Sequence, residues 1–300
     1  MKTLKALIKR NTKLFLKDKG LFFTSLITPC ILLVLYATFL GNVYRDSFTM
    51  SLPKGFELPD EILNGAVGGQ LMASILAVSC ITVAFCSNML MVQDKANGMI
   101  KDISVSPVKS SVLALSYYIS NLISTLIVCF AATAVCLIYV RCVGWYLTVF
   151  DVVALFLDVF LLATFGTALS GVVNFFLSTQ GQISAVGTIV SSGYGFICGA
   201  YMPISQFPET LRKVISFLPG TYGTGIIKNI SMRSVFNEMK EFGIPSEFIT
   251  EMKDAVDYNL YFLGDKVSLL NMHLVLAVSV VLILAIYIFL NYAVNKKRVR

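Results

Sequence analysis

Charged residues are scarce in this sequence, since Asp, Glu, Lys and Arg together make up only 14% of its 300 positions. Hydrophobic residues make up 56%, whereas a soluble domain carries roughly 25% charged and 45–50% apolar residues. This composition excludes an ordinary soluble domain and indicates a protein of the lipid bilayer. The formal net charge is +7, but no basic stripe interleaves with aromatic residues. We therefore expect an anionic membrane surface as a partner and no nucleic acid.

Motifs for catalysis are also missing. The chain has no GxxxxGK(S/T) loop to cradle phosphates, so it is not an ATPase by itself, and HExxH and GxSxG are absent as well. Its seven cysteines show no CxxC spacing, which indicates small core residues and no metal site. The single histidine, His273, is more typical of a helix end than of a ligand or a proton relay. We expect no catalytic residue, metal or cofactor in this chain.

Six stretches are long and apolar enough to cross a hydrocarbon core, which takes roughly 20 residues of helix. They run over 21–41, 65–92, 112–140, 151–177, 182–201 and 267–292. The first is too long for a cleaved signal peptide, so we expect it to be retained. Basic segments lie before the first stretch, between the second and third stretches, and after the last one. By the positive-inside rule, this distribution places both termini in the cytosol. The expected fold class is an all-α integral protein of the cell membrane with six transmembrane helices.

Two regions outside these stretches have helical periodicity. Over residues 1–20 the apolar and Lys side chains fall on opposite faces, which predicts a helix on the inner leaflet, with a plain basic flank as the alternative. Residues 202–266 are predicted to form an extracytoplasmic helical loop. It would contain an amphipathic helix from about Phe207 to Leu218 and a second helix that begins near Ser246.

Polar groups within the stretches are few. Asp158 is the one acid deep in a stretch, where a charge costs at least about 2.5–3.5 kcal/mol. Its carboxyl group either faces a translocation path or subunit interface, or is a neutral acid bonded to a neighbouring helix. Generic polar residues are candidates for lining such a path, namely Gln70, Ser74, Asn174 and Ser178.

The basic segment between the second and third stretches carries an apolar ridge, formed by Met99, Ile100 and Ile103. Such a ridge needs a cover, either another protein or the chain's own helix ends, and we favour a partner-docking helix. Ser106 and Pro107 are expected to begin the next helix as its N-cap and first helical residue.

In two places the sequence resembles the ABC-2 type membrane subunits of ATP-binding cassette exporters. After the second span, that family has a charged, glycine-containing segment that ends in a small residue, Pro and a basic residue, as residues 94–98 and 106–109 do here. After the fifth span it has Gly, an aromatic and Pro, then a Pro-led amphipathic helix that ends in Pro and an aromatic. The matching residues include Gly199, Pro203, Phe207, Pro208, Leu211, Pro219 and Tyr222.

The resemblance covers nearly the whole chain and implies a permease subunit that exports a substrate with ATP hydrolysed elsewhere. Two such subunits, identical or homologous, would pair around a path, and separate ABC ATPase subunits beneath them would bind ATP and Mg. The ATPase-coupling loop would comprise Asp94, Gly98, Met99, Ile100, Ile103, Ser106 and Pro107. The segment 199–222 would form an outer re-entrant, amphipathic element. One departure is an insertion over about 231–264, and the cargo, whether drug, peptide, lipid or glycan, stays open.

An ion-coupled secondary transporter or channel is the main alternative. It would need buried ionisable groups and inverted repeats, and only Asp158 meets the first requirement. A membrane-embedded enzyme would need a convergent set of His, Asp or Glu, which the stretches do not supply. A structural membrane anchor also stays open. An ATP-binding cassette gene next to this one would favour the exporter.

Overall fold

The computed structural model describes residues 2–52, 58–105 and 108–298. Helices account for about 83% of the structure, and the strands among the described residues form one two-stranded hairpin. The all-α class expected from the sequence is therefore confirmed.

The helices follow one another with short connections. In chain order they are α1 (Lys2–Lys17), α2 (Lys19–Leu35), α3 (Gly41–Met50), α4 (Asp60–Ser87), α5 (Met89–Ala96), α6 (Met99–Val105), α7 (Ser110–Val143), α8 (Val149–Phe175), α9 (Gln180–Ile197), α10 (Glu209–Ser216), α11 (Pro219–Glu241), α12 (Ser246–Ala255) and α13 (Leu269–Arg298). The π-helical turn Tyr36–Leu40 joins α2 to α3 without a break. The hairpin strands, β1 (Tyr261–Phe262) and β2 (Asp265–Lys266), pair antiparallel just before α13.

Within the described residues, five helical segments are long and apolar enough to cross a membrane. They are 25–50, 60–96, 110–143, 149–175 and 269–293. These segments coincide with five of the six predicted stretches. Helix α9 fills the other stretch but has only 18 residues, several of them polar, and it is not among the five. A multi-pass membrane architecture is confirmed, and the sixth crossing stays a prediction.

Side-chain caps fix where the middle helices begin. The Thr148 hydroxyl accepts a hydrogen bond from the Asp151 amide at 3.2 Å, and the Asp151 carboxylate accepts one from the Thr148 amide at 3.0 Å. Thr179 and Gln182 make the same reciprocal pair at the start of α9. Each such box satisfies two backbone N–H groups that a helix start leaves without partners. The two boxes therefore allow short turns before α8 and α9.

Helix α4 lies at the centre of the bundle and packs against α2, α7, α8, α9 and α11. Small residues permit the closest approaches. A Cβ added at Gly166 of α8 would lie 2.8 Å from the Cys80 carbonyl oxygen of α4, and one at Gly69 would lie 2.8 Å from the Ser231 carbonyl oxygen of α11. Such contacts matter in lipid, where helices associate by close packing and have little hydrophobic drive to do so.

The region 202–266 differs from the loop that the sequence suggested. Helices α10 and α12 form where periodicity predicted them. Between them, however, α11 runs for 23 residues and buries most of its side chains against α4, α8 and α13. An element buried on several sides has no single apolar face, so periodicity could not reveal α11. The fully buried Asp151 ties α8 to α11, because it accepts from Arg233 at 2.6 Å and from Ser234 at 2.9 Å.

The bundle has two distinct ends. We call one the terminal end, because α1, α5 and α7 are bonded together there through Asp94, and the Tyr287 hydroxyl of α13 donates to the Ala114 carbonyl of α7 at 3.1 Å. The other is the cap end, formed by α10, α12, the hairpin and the starts of α8 and α13. Within α1 the Lys side chains are exposed and Phe15 is buried. The amphipathic helix predicted for residues 1–20 is present, and it packs on α7.

Candidate functional site

The predicted coupling loop forms two short helices with a sharp turn between them. Helix α5 ends at Ala96, and Gly98 has φ +78°, a left-handed conformation that glycine adopts without steric cost. Helix α6 starts at the next residue. Met99 is 42% exposed, while Ile100 and Ile103 are half-buried. The predicted helix start at Ser106 and Pro107 lies outside the described residues, and α7 begins at Ser110.

Asp94 does not face outward from this loop. It is 6% exposed, and its carboxylate accepts from the Arg10 guanidinium at 2.7 Å and 3.4 Å and from the Tyr117 hydroxyl at 2.6 Å. Burial lowers the pKa of Arg10, but the hydrogen bond to Asp94 and its charge outweigh this and raise the pKa above its ordinary value. Asp94 therefore joins α5 to α1 and α7 through charge-assisted bonds.

The neighbouring Lys95 reaches a different part of the bundle. Its ammonium group donates to the carbonyl oxygens of Asn174 at 3.1 Å, Phe175 at 2.8 Å and Leu177 at 3.3 Å. It also lies 5.5 Å from the centre of the Phe175 ring. The last carbonyls of a helix lack intrahelical partners and carry partial negative charge. Lys95 thus caps the end of α8 just before the turn into α9.

The outward surface around this loop is apolar and basic. In the loop Met99 is exposed, and on α1 Leu14 is 39% and Leu16 is 41% exposed. The lysines of α1 are exposed as well, namely Lys2, Lys5, Lys9, Lys13 and Lys17. An exposed apolar tip close to a basic helix is a suitable contact surface for a protein with acidic and apolar groups.

Asp158 pairs with His273 across the α8–α13 contact. His273 Nε2 lies 2.8 Å from Asp158 Oδ1, and Nδ1 lies 2.9 Å from the Leu269 carbonyl oxygen. Because a carbonyl oxygen can only accept, Nδ1 carries a hydrogen. One further proton must then lie between Nε2 and Oδ1, on either the acid or the imidazole. Asp158 is 6% exposed, and its Oδ1 faces His273 on α13 of the same chain.

The structure separates the four candidate path residues into two places. Gln70 and Ser74 are fully buried one turn apart on α4. Their polar atoms face the hydroxyls of Tyr44 and Tyr36 but make no hydrogen bond of regular geometry among the described residues. Asn174 and Ser178 lie at the far end, around the turn from α8 to α9. Asn174 is buried and Ser178 is exposed. No single surface of this chain brings all four together.

The predicted outer segment forms the junction between α9 and the cap end. Gly199 has φ +72° and ends α9; its carbonyl accepts from the Lys228 ammonium at 2.9 Å. The next carbonyl, that of Ala200, accepts from the Tyr36 hydroxyl. Lys228 is 1% exposed and lies 3.6 Å from Asp257, whose carboxylate accepts from the amides of residues 204 and 205. A buried ion pair thus fixes this junction.

The remaining residues of that segment surround α10. Pro203 precedes a short 3-10 turn, and Phe207 and Pro208 precede α10. Leu211 is exposed on α10. Pro219 occupies the first turn of α11, and Tyr222 donates to the Ser216 carbonyl at 2.6 Å.

A cavity of about 570 Å³ opens beside α10 at the cap end. Its walls come from α10, the start of α11 and the segment 254–264. The lining includes Arg212, Thr221, Tyr222, Asp254 and Tyr261. No group of three His, Cys, Asp or Glu in the described part of the chain is placed to hold a metal ion.

Comparison with known families decides what kind of protein carries this arrangement. A sequence model of the family described as ABC-2 type transporter matches residues 2–231. The chain belongs to the ABC-2 type transporter family. It is therefore the membrane-spanning permease subunit of an ABC transporter, a transport subunit that is not itself catalytic. A search of the curated proteins found no match.

The matched region of this ABC-2 permease contains the coupling loop and the outer segment. The match ends within α11 at Ser231, where the sequence analysis placed the start of an insertion. The rest of α11, α12, the hairpin and α13 lie beyond the matched region.

Three pairings in the permease could not be found from the sequence. Asp158 and His273 are 115 positions apart, and Lys228 and Asp257 are 29 apart with no motif between them. Lys95 belongs to the charged segment 94–98, but its bonds go to backbone carbonyls at the end of α8. Every residue has such a carbonyl, so the sequence could not show that these ones are the partners. Tertiary packing alone creates these contacts.

Proposed function

We propose that this permease moves a substrate out of the cytosol with ATP hydrolysed by separate ABC ATPase subunits that dock on α6. The observation that carries the proposal is the α5–α6 segment. Its tip bears the exposed Met99, while Asp94 and Lys95, five and four residues earlier on α5, are bonded to three other helices. A docking tip joined to the bundle in this way can pass movement of a partner to the membrane helices.

The proposal also covers the orientation of the chain in the membrane, the sixth crossing and the partner subunits. The terminal end is cytosolic, since it collects the basic segments, and α9 crosses the cell membrane as a sixth span. ATP and Mg bind to the ATPase, and two permease subunits, the same or homologous, pair around the path. Gln70 and Ser74, which face the hydroxyls of Tyr44 and Tyr36, are candidates for contacting cargo when the bundle opens.

The test is a charge placed on the docking tip. Met99→Asp should insert normally in the membrane but lose co-purification with the ABC ATPase, because a carboxylate would have to be desolvated against an apolar groove. Asn97→Asp, which puts the same charge on an exposed polar position of the same loop, is the matched control and should retain the ATPase. Equal recovery of the ATPase with both variants would contradict docking at α6.

An ion-coupled transporter remains the second candidate function, favoured by one observation, the pair of Asp158 and His273 inside the membrane segments. The two functions differ in their energy source. Transport by reconstituted permease and ATPase should require ATP and persist when a proton ionophore dissipates the pH gradient. Transport that stops with the ionophore while ATP is present would favour ion coupling.

A further inference from the structure

Asp94 and Lys95 are consecutive residues of α5, yet they bond to opposite parts of the bundle. Successive side chains on a helix point about 100° apart, so neighbours in sequence reach different partners. Asp94 bonds to Arg10 of α1 and Tyr117 of α7. Lys95 bonds to the carbonyls at the end of α8. The loop therefore has two separate connections to the membrane helices.

We propose that Asp94 and Lys95 are positioning residues that divide the movement of α6 into two routes. Asp94 carries it to α1 and α7, and Lys95 carries it to the end of α8 and the turn into α9. The inference rests on the proposed docking of an ATPase at α6 and deepens it, because it assigns the transmission to two residues that do not touch the ATPase.

The chemistry of each connection suits a rigid link. Asp94 is buried, accepts a two-pronged contact from a guanidinium and is held from the other side by a tyrosine hydroxyl. Charge-assisted and bidentate bonds fix orientation as well as distance. Lys95 places its three donor hydrogens among three carbonyls within 3.3 Å, which satisfies an ammonium group fully. A displacement of α5 must either break these bonds or move their partners.

The turn at Gly98 separates the two links from the docking tip. Ala96 and Asn97 are exposed and lie between the two links and α6, so the proposed contact at α6 includes neither Asp94 nor Lys95. Binding at Met99 therefore acts on the C-terminal end of α5, while Asp94 and Lys95 bond α5 to different helices. Each neighbour should respond to ATPase movement through its own side chain.

Hydrogen exchange of backbone amides in the full complex tests this division. In the wild type, adding a non-hydrolysable ATP analogue should change exchange both in α1 with the first turns of α7 and in the turn from α8 to α9. Asp94→Asn, which keeps shape but removes the charge pair, should lose the first response and keep the second. Lys95→Met should lose the second and keep the first. Lys9→Met, on the exposed face of α1, is the control and should keep both.

Two further measurements separate this inference from simpler accounts. Lys95→Arg should restore the response at the α8–α9 turn, because a guanidinium can also donate to several carbonyls. A variant that merely destabilises the bundle would change exchange in all helices without nucleotide. If the wild-type permease recovers no ATPase, the proposed function fails. If the ATPase binds but both variants lose or keep the two responses together, the division into two routes is wrong.

Discussion

Asp158 and His273 share one proton in a polar contact inside the helix bundle. With the Nδ1 hydrogen donated to Leu269, the contact of 2.8 Å between Nε2 and Oδ1 holds one proton and has no net charge in either arrangement. This contact offsets part of the cost of placing an acid in a membrane segment, because Oδ2 of Asp158 is buried without a hydrogen-bond partner among the described residues. The sequence left two interpretations of Asp158 open, a group facing a path or subunit interface and a neutral acid bonded to a neighbouring helix, and the bond to α13 is of the kind that the second describes.

The effect of a substitution at Asp158 on stability should therefore depend on whether the new side chain can hydrogen-bond to His273, and not on its charge. Asp158→Asn should fold with wild-type stability, because the amide can donate to Nε2. Asp158→Leu should lower stability by about 0.5–1.5 kcal/mol, since it removes the hydrogen bond to the half-buried His273 ring. Thermal unfolding of the purified protein in detergent measures both. A melting temperature lowered equally by Asn and Leu would show that charge is essential at this position.

Close helix contacts set the architecture at the scale of elements. Where α8 crosses α4, a Cβ added at Gly166 would lie 2.8 Å from the Cys80 carbonyl oxygen, which belongs to the backbone, and 2.9 Å from the Ile81 Cδ1. By contrast, nothing lies within 4 Å of a Cβ added at Gly193 of α9. The two glycines are both helical, so they differ mainly in their surroundings.

This difference gives a matched pair of substitutions. Gly166→Ala should destabilise the bundle by about 1–3 kcal/mol, because overpacking forces two helices apart. Gly193→Ala should leave stability unchanged or raise it by up to about 1 kcal/mol through helix propensity. Chemical unfolding monitored by far-UV circular dichroism provides the comparison. Equal effects of the two changes would mean that the α4–α8 contact is looser than described.

Long apolar elements were predictable from the sequence, and polar contacts between elements were not. Uninterrupted apolar runs located the ends of the five spanning segments to within five residues, except that the first segment runs to residue 50 and was predicted to end at 41. Spacing located α1, α10 and α12. Helix α11 escaped detection because its residues are buried on several sides. In the loop, residue type marked Met99 as an exposed apolar group, but it suggested an outward role for Asp94, which is buried against Arg10.

As a whole molecule, the permease is organised around its two ends. The terminal end combines the apolar docking tip, the basic helix α1 and both rigid links. The cap end combines an ion pair, a cavity and the part of the chain beyond the family match. The proposed coupling to ATP hydrolysis requires that the first end be cytosolic, and the proposed export requires that the second face outward.

Labelling from one side of the membrane tests this account most directly. The exposed Cys30 and Cys142 are first replaced by alanine, and the five buried cysteines are kept. One cysteine is then introduced, either at Asn97 or at Leu263, both of which are exposed. Intact cells are treated with a membrane-impermeant thiol reagent. The account predicts labelling at Leu263→Cys alone, with Asn97→Cys reacting only after the membrane is opened. Labelling of Asn97→Cys in intact cells would place the docking tip outside and contradict the account.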